Sequence, residues 1–202
     1  MWLRLSHKGA EMKGKIAIAL GLVILTGRMY AQGTTWKIDP THTQATFQVK
    51  HLEMTNIRGS ISNITGTIVF DPNDPSQDHV TATLDVKTLN TANNYRDEFI
   101  KGPDFFNTAR FSTITFTSTS VQRVGNGYKV LGNLTIAGVT RTAALDVDGP
   151  TPPKKGMEGQ PVSGLSATTV IKRSDFNFGP KYPEAMVGDE VKITIDLEMQ
   201  KK

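Results

Sequence analysis

The chain has 202 residues, 38% of them hydrophobic and 21% charged, and no cysteine. That size suits one larger all-β domain or two small ones, with room for a sizeable core, and the absence of cysteine excludes disulfides, thiol chemistry and cysteine-ligated metals. The formal charge of +4 comes from the leader, which holds Arg4, Lys8, Lys13, Lys15 and Arg28 against Glu11. Removing those five bases and one acid from the 23 and 19 of the whole chain leaves 18 of each, so no basic patch argues for nucleic acid.

Residues 1–31 read as a cleaved signal peptide. Lys13 and Lys15 precede an apolar run from Ile16 to Leu25, and the small residue Ala31 follows. That is the order of charged region, hydrophobic region and cleavage site. The run is short for a membrane span, which needs about twenty apolar residues, so an uncleaved anchor is the weaker alternative. Cleavage after Ala31 leaves Gln32 first, with Met29 at the −3 position leaving room for a neighbouring cut. Met12 serves as well as Met1 for a start, and no cysteine follows to carry a lipid. The expected mature chain, 32–202, is periplasmic or secreted.

The mature chain then alternates. Trp36 and Ile38 open it, and Asp39-Pro40 breaks the run. Ala45, Phe47 and Val49 are apolar against Gln44, Thr46, Gln48 and Lys50, and His51 continues their phase. Period two marks a strand with one buried face. Met54 to Gly59 reads as a connection. Ile64, Ile68 and Phe70 are in phase with Gly66 between them, where a glycine inside a strand suggests a bulge or a close backbone approach. Asp71-Pro72-Asn73-Asp74-Pro75 is a turn, and Val80, Ala82, Leu84 and Val86 alternate after it.

Asn93 to Phe116 departs from this pattern. Asn93 or Asn94 can cap a helix, Tyr95, Phe99 and Ile100 share one face, and Gly102-Pro103 stops it. The adjacent aromatics Phe105 and Phe106 must pack on something. Strands resume at Ile114, Phe116 and Val121. Gly125-Asn126-Gly127 is a tight hairpin, followed by Tyr128, Val130, Leu134 and Ile136 in phase around Gly132. Ala143, Leu145 and Val147 make a short strand, and Asp148 to Val162 is the longest irregular loop. Leu165, Ala167, Thr169 and Ile171 alternate next, with Arg173 in the same phase. Ser174 to Gly188 is irregular, and Val191, Ile193, Ile195, Leu197 and Met199 form the cleanest strand.

About eight strands without a βαβ rhythm predict an all-β fold: an eight-stranded antiparallel barrel with a short helical insert closing one end. A sandwich is the alternative. At that strand number the interior is either filled or holds one small ligand. The small inward residues Ala45, Gly66, Ala82, Gly132, Ala143 and Ala167 lean toward a cavity.

The ordered set Trp36-x-Ile38-Asp39-x-x-His42, Phe47-x-Val49-x-His51, Arg96-Asp97, Asp104-Phe105-Phe106, Ile114-Thr115-Phe116, Tyr128-x-Val130-x-Gly132-x-Leu134-Thr135-Ile136-x-Gly138, Arg173-x-Asp175-Phe176 and Val187-Gly188-Asp189-x-Val191 resembles the YceI family. These are exported bacterial lipocalin-like barrels that bind polyisoprenoid lipids. Three positions depart from the family pattern: Thr43 replaces a usual Ser, Phe111-Ser112 a usual Tyr-Pro, and Asn177 a frequent Gly at the expected mouth. The resemblance implies an isoprenoid lipid or quinone as ligand, no cofactor, a carrier or storage role, and transient contact with a membrane surface; it leaves a homodimer open.

The residues expected at the ligand are Phe47, Val49, His51, Ile68, Leu84, Phe99, Phe105, Phe106, Phe116, Leu134, Ile136, Ile171, Arg173 and Ile193. Tyr95, Phe99, Phe105 and Phe106 would form a lid or wall. His42 and His51 lie on opposite strand phases and so do not make a metal pair. Arg96, Asp97, Arg173 and Asp175 suggest an ion-pair lock between insert and strand end, because a buried guanidinium needs a partner. No G-x-S-x-G elbow or G-K-[ST] loop is present, so catalysis is not expected. An enzyme acting on a lipid in the same cavity and a filled barrel without ligand are the rival functions.

Overall fold

The alternating runs become strands in a computed structural model that describes residues 33–202; the leader lies outside the described residues. The strands are β1 (Thr34–Ile38), β2 (Gln44–His51), β3 (Thr55–Ile61), β4 (Ile64–Phe70), β5 (His79–Asp85), β6 (Thr113–Val124), β7 (Gly127–Ile136), β8 (Val139–Asp148), β9 (Lys154–Lys155), β10 (Pro161–Lys172) and β11 (Val187–Lys201). Helix α1 (Asn94–Lys101) lies between β5 and β6. Its cap is as expected: the Asn93 side chain accepts from Arg96 N, and Gly102 ends it.

The circuit β11-β1-β4-β5-β6-β7-β8-β10 returns to β11, giving a closed antiparallel barrel of eight strands. The closing seam runs from Val162 opposite Gln200 to Lys172 opposite Glu190. On its other edge β11 pairs with β2 from Val187 to Asp196 and with β1 from Met199 to Lys201. β2 thus continues the line of β1 along β11. β3 pairs with β2 and continues the line of β4, so the β2–β3 hairpin extends one side of the barrel. Closure leaves the eight-strand circuit without an unpaired edge.

Two elements differ from expectation. Residues 55–61 form β3 rather than a connection. Its inward pattern is hidden because the middle inward residue is Gly59, over which the Phe47 ring lies; a Cβ there would stand 2.4 Å from Phe47 Cζ. Within 148–162, Lys154–Lys155 pair with Pro161 and Val162 in a small hairpin.

Two clusters make the core. One runs from Val86, Leu89, Phe106 and Phe176 at the α1 end through Phe116 and Val130 to Tyr128. The other joins Trp36, Ile38, Ile64, Ile68 and Met199 across β1, β4 and β11. Gly132, expected to leave space, is instead covered by the Phe116 ring, 2.4 Å from where a Cβ would sit. Gly66 is the close approach its position suggested: at φ +153 a Cβ would lie 2.0 Å from the Thr81 carbonyl oxygen.

Substituting Gly66→Ala should therefore push β4 from β5 and cost about 3 kcal/mol. Gly125→Ala, at φ +58 in open space, should cost only about 1 kcal/mol. Urea unfolding of both variants checks the contrast; equal small losses would remove the steric account of Gly66.

Candidate functional site

A cavity of about 270 Å³ runs inside the barrel. Its wall extends from Ile100, Phe105, Phe106 and Arg173 at the α1 end to Phe70, Tyr128, Val147 and Pro150 at the opposite end. The wall is apolar almost throughout; Asp78 and Arg173 are its charged side chains, one at each end. A filled barrel, the second rival, is thus not the structure observed.

Twelve of the fourteen expected residues line this space. Phe47 and Val49 come from β2, Ile68 from β4, Leu84 from β5, Phe116 from β6, and Leu134 and Ile136 from β7. Ile171 lies on β10 and Ile193 on β11, Arg173 follows β10, and Phe105 and Phe106 follow α1. His51 and Phe99 lie outside the lining. His51 keeps the phase of Phe47 and Val49 but is exposed, because β2 outruns the barrel rim at its last residue.

Helix α1 turns a different face inward from the one expected. Tyr95 is 85% exposed, while Asp97 is buried and Ile100 reaches the cavity. Asp97 is held by Thr91, whose backbone N–H donates at 2.8 Å and whose hydroxyl also donates. Arg96 donates to the same residue, to its hydroxyl at 2.8 Å and its carbonyl at 2.6 Å. Phe99 stands behind the wall, with its ring 5.4 Å from Phe105 and 5.7 Å from Tyr182. Tyr182 stacks on Phe105 at 5.0 Å, and Phe178 meets Phe105 and Phe106 at 5.3 and 4.6 Å. Such ring pairs add about 0.5–1.5 kcal/mol each beyond area burial.

The expected ion-pair lock between insert and strand end is not formed: Asp97 and Arg96 are taken up by Thr91, and the partners of Arg173 are backbone carbonyls of the loop that follows it. Nε donates to Val187 and Gly188, Nη1 to Phe178 and Gly179, and Nη2 to Tyr182 and Val187, at 2.6–3.2 Å. A guanidinium has five N–H groups, and every nitrogen here is engaged by the 178–188 loop. Asp175 is exposed. Arg173 therefore presents its charge and its flat side to the cavity rather than free donors.

His42 sits in a separate knot. Its Nδ1 donates to Asp39 at 2.9 Å and lies 3.8 Å from Glu198. Asp39 also accepts from Thr41 N, Thr41 Oγ1 and Gln200 Nε2. The hydrogen bond from His42 holds the Asp39 carboxyl well below the usual carboxylate range, and Asp39 raises His42 in return. This ties the β1–β2 connection to β11, and His42 and His51 do not meet.

Asp78 was not anticipated as a site residue, because it follows a turn and reads as a turn acid. Its signal was parity: residues 78, 80, 82 and 84 share one face, and all four line the cavity. Burial, with the nearby Asp71 and Asp74 charges adding to it, pushes its carboxyl up to about 6.

Residues 36–199 match the model of the YceI-like domain. The chain belongs to the YceI family. It is 34% identical over 171 residues to the UPF0312 protein SAS2572 of Staphylococcus aureus, covering 82% of this chain and 96% of that one. Its fold is similar to the YceI protein of Campylobacter jejuni, with a TM-score of 0.68 and 30% identity over 76% of this chain and 90% of that one. A polyisoprenoid binding domain from Saccharophagus degradans shares the fold, with a TM-score of 0.62 and 15% identity over 84% of this chain and 99% of that one. YceI proteins in this set are thus lipocalin-like barrels, and this chain is one of them.

Arg173→Ala should strand five loop carbonyls and cost about 3–5 kcal/mol. Arg173→Lys, with a point charge but no fork, should fall between the two. Chemical denaturation with amide exchange at residues 178–188 tests this; a native-like Arg173→Ala would mean that the clasp is not structural.

Proposed function

We propose that this YceI-family barrel binds an amphipathic polyisoprenoid or quinone-type lipid along its interior, as a carrier or store in the periplasm or outside the cell. The observation that carries the reading is the apolar cavity spanning both ends of the barrel. Each five-carbon unit placed there gains about 4 kcal/mol from burial of its carbons. Three units, about 12 kcal/mol, less an ordering cost of about 4 kcal/mol at the low end of its range, reach about micromolar affinity without any catalytic group. The shared fold with a polyisoprenoid binding domain supports the same ligand class.

The rim at the α1 end supports transient membrane contact. Leu52, Met54, Met186, Tyr95 and Phe99 are exposed there, and Leu52 N donates to Met186 O at 2.9 Å. Leu52 and Glu53, at φ +50 and +56, are the central residues of the turn between β2 and β3, which Met54 N closes by donating to His51 O at 3.1 Å. Turns of that hand prefer Asn or Gly, so an apolar Leu is kept at a backbone cost. Contact of that side chain with lipid supplies a reason.

Phe116 and Leu134 face each other across β6 and β7 within the cavity. Leu134→Trp should reduce uptake of a fluorescent polyene at least tenfold while costing about 1–3 kcal/mol of stability. Unaltered uptake in a folded variant would count against the tunnel. Leu52→Asn should stabilise the turn by about 0.5–1 kcal/mol yet slow lipid transfer from vesicles. Transfer at the native rate would exclude Leu52 from membrane contact.

A further inference from the structure

Resting on the reading of the barrel as a lipid holder, we propose that Asp78 receives the polar end of the bound chain, and that this end is a hydrogen-bond donor such as a terminal alcohol or amine. Three observations meet here. Asp78 lines the cavity at the end opposite α1. Its Oδ1 accepts from Asp71 N at 2.7 Å, which fixes the carboxyl against the 71–78 loop. Its Oδ2 is buried and has no hydrogen-bond partner among the described residues.

The other acids of the loop accept from donors within the loop itself. Asp71 accepts from Asn73 N at 2.8 Å, and Asp74 from Ser76 N and Oγ at 3.1 and 2.6 Å. Neither lines the cavity. A buried carboxylate oxygen without a partner is costly, and a donor brought by a ligand removes that cost. A hydroxyl can donate to Asp78; a phosphate dianion has no proton to donate and adds its charge to that of the carboxylate.

The remaining ionisable groups at this end do not occupy Asp78. His79 Nδ1 is 3.1 Å from Ser118 Oγ. The Arg123 guanidinium lies over the Tyr128 ring at 5.9 Å and is exposed. A lipid phosphate drawn to Arg123 is therefore the competing arrangement, and the test separates the two.

The mature chain, with Asp78→Asn and Asp78→Leu variants, would be titrated with three probes of one chain length: a C20 isoprenoid alcohol, its monophosphate and the hydrocarbon alone. The native chain should bind the alcohol at least tenfold more tightly than the monophosphate. Asp78→Leu should lose tenfold or more on the alcohol with hydrocarbon affinity kept, whereas Asp78→Asn, which retains an acceptor oxygen, should keep alcohol binding and narrow the gap to the phosphate. Equal binding of alcohol and monophosphate, preference for the monophosphate, or an Asp78→Leu variant that still favours the alcohol would overturn the assignment while leaving the lipid holder standing. Failure of the native chain to bind any of the three would overturn the lipid holder itself, and Asp78's role with it.

Discussion

Closure by the last strand is the constraint on which this molecule depends. β11 pairs with β10 along its length, with β2 over its first half and with β1 at its end. Once that seam is made, every strand in the circuit has two neighbours and strict alternation sorts each residue to inside or outside. The knot of Asp39, His42, Thr41 and Gln200 ties the first connection to the same strand. The first and last strands are thereby joined, and the interior is defined by residues far apart in sequence.

Whether that interior fills or stays open is decided by how large side chains are disposed. The rings of Phe47 and Phe116 lie flat over Gly59 and Gly132 on the wall, which turns aromatic bulk into lining rather than plug. At the α1 end the space is bounded by Phe105, Phe106 and Phe178, held by a loop whose carbonyls converge on Arg173. The charge that orders the loop is satisfied by backbone dipoles, so it needs no carboxylate at that end. The acid in the wall stands at the other end. The tunnel is apolar along its length and has ends of opposite charge.

Much of this was legible in the amino-acid sequence, for physical reasons that also explain what was not. Residues such as Ile193, Ile195 and Leu197 announce a strand because one face meets a core and the other meets water. β3 was invisible because Gly59 occupies the place where a large apolar residue would complete the pattern. The need of Arg173 for partners was legible in its buried phase, but backbone carbonyls carry no sequence signature, so an ion pair was the natural expectation. His51 shares the phase of Phe47, yet phase alone does not tell where a barrel ends. Asp78 had the right parity and the wrong chemistry for an apolar run, and the adjoining Asp71-to-Pro75 turn masked it. Membership of the YceI family was readable from motifs in order, none of them specific alone.

The central claim is that the barrel is a container for an isoprenoid chain. Native mass spectrometry of the protein, released gently from the bacterial cells that produce it and followed by organic extraction, tests it most directly. The account predicts a population heavier than the bare chain by one lipid, whose extract is an isoprenoid or quinone. A bare chain mass that persists after incubation with quinones and polyprenols would contradict it.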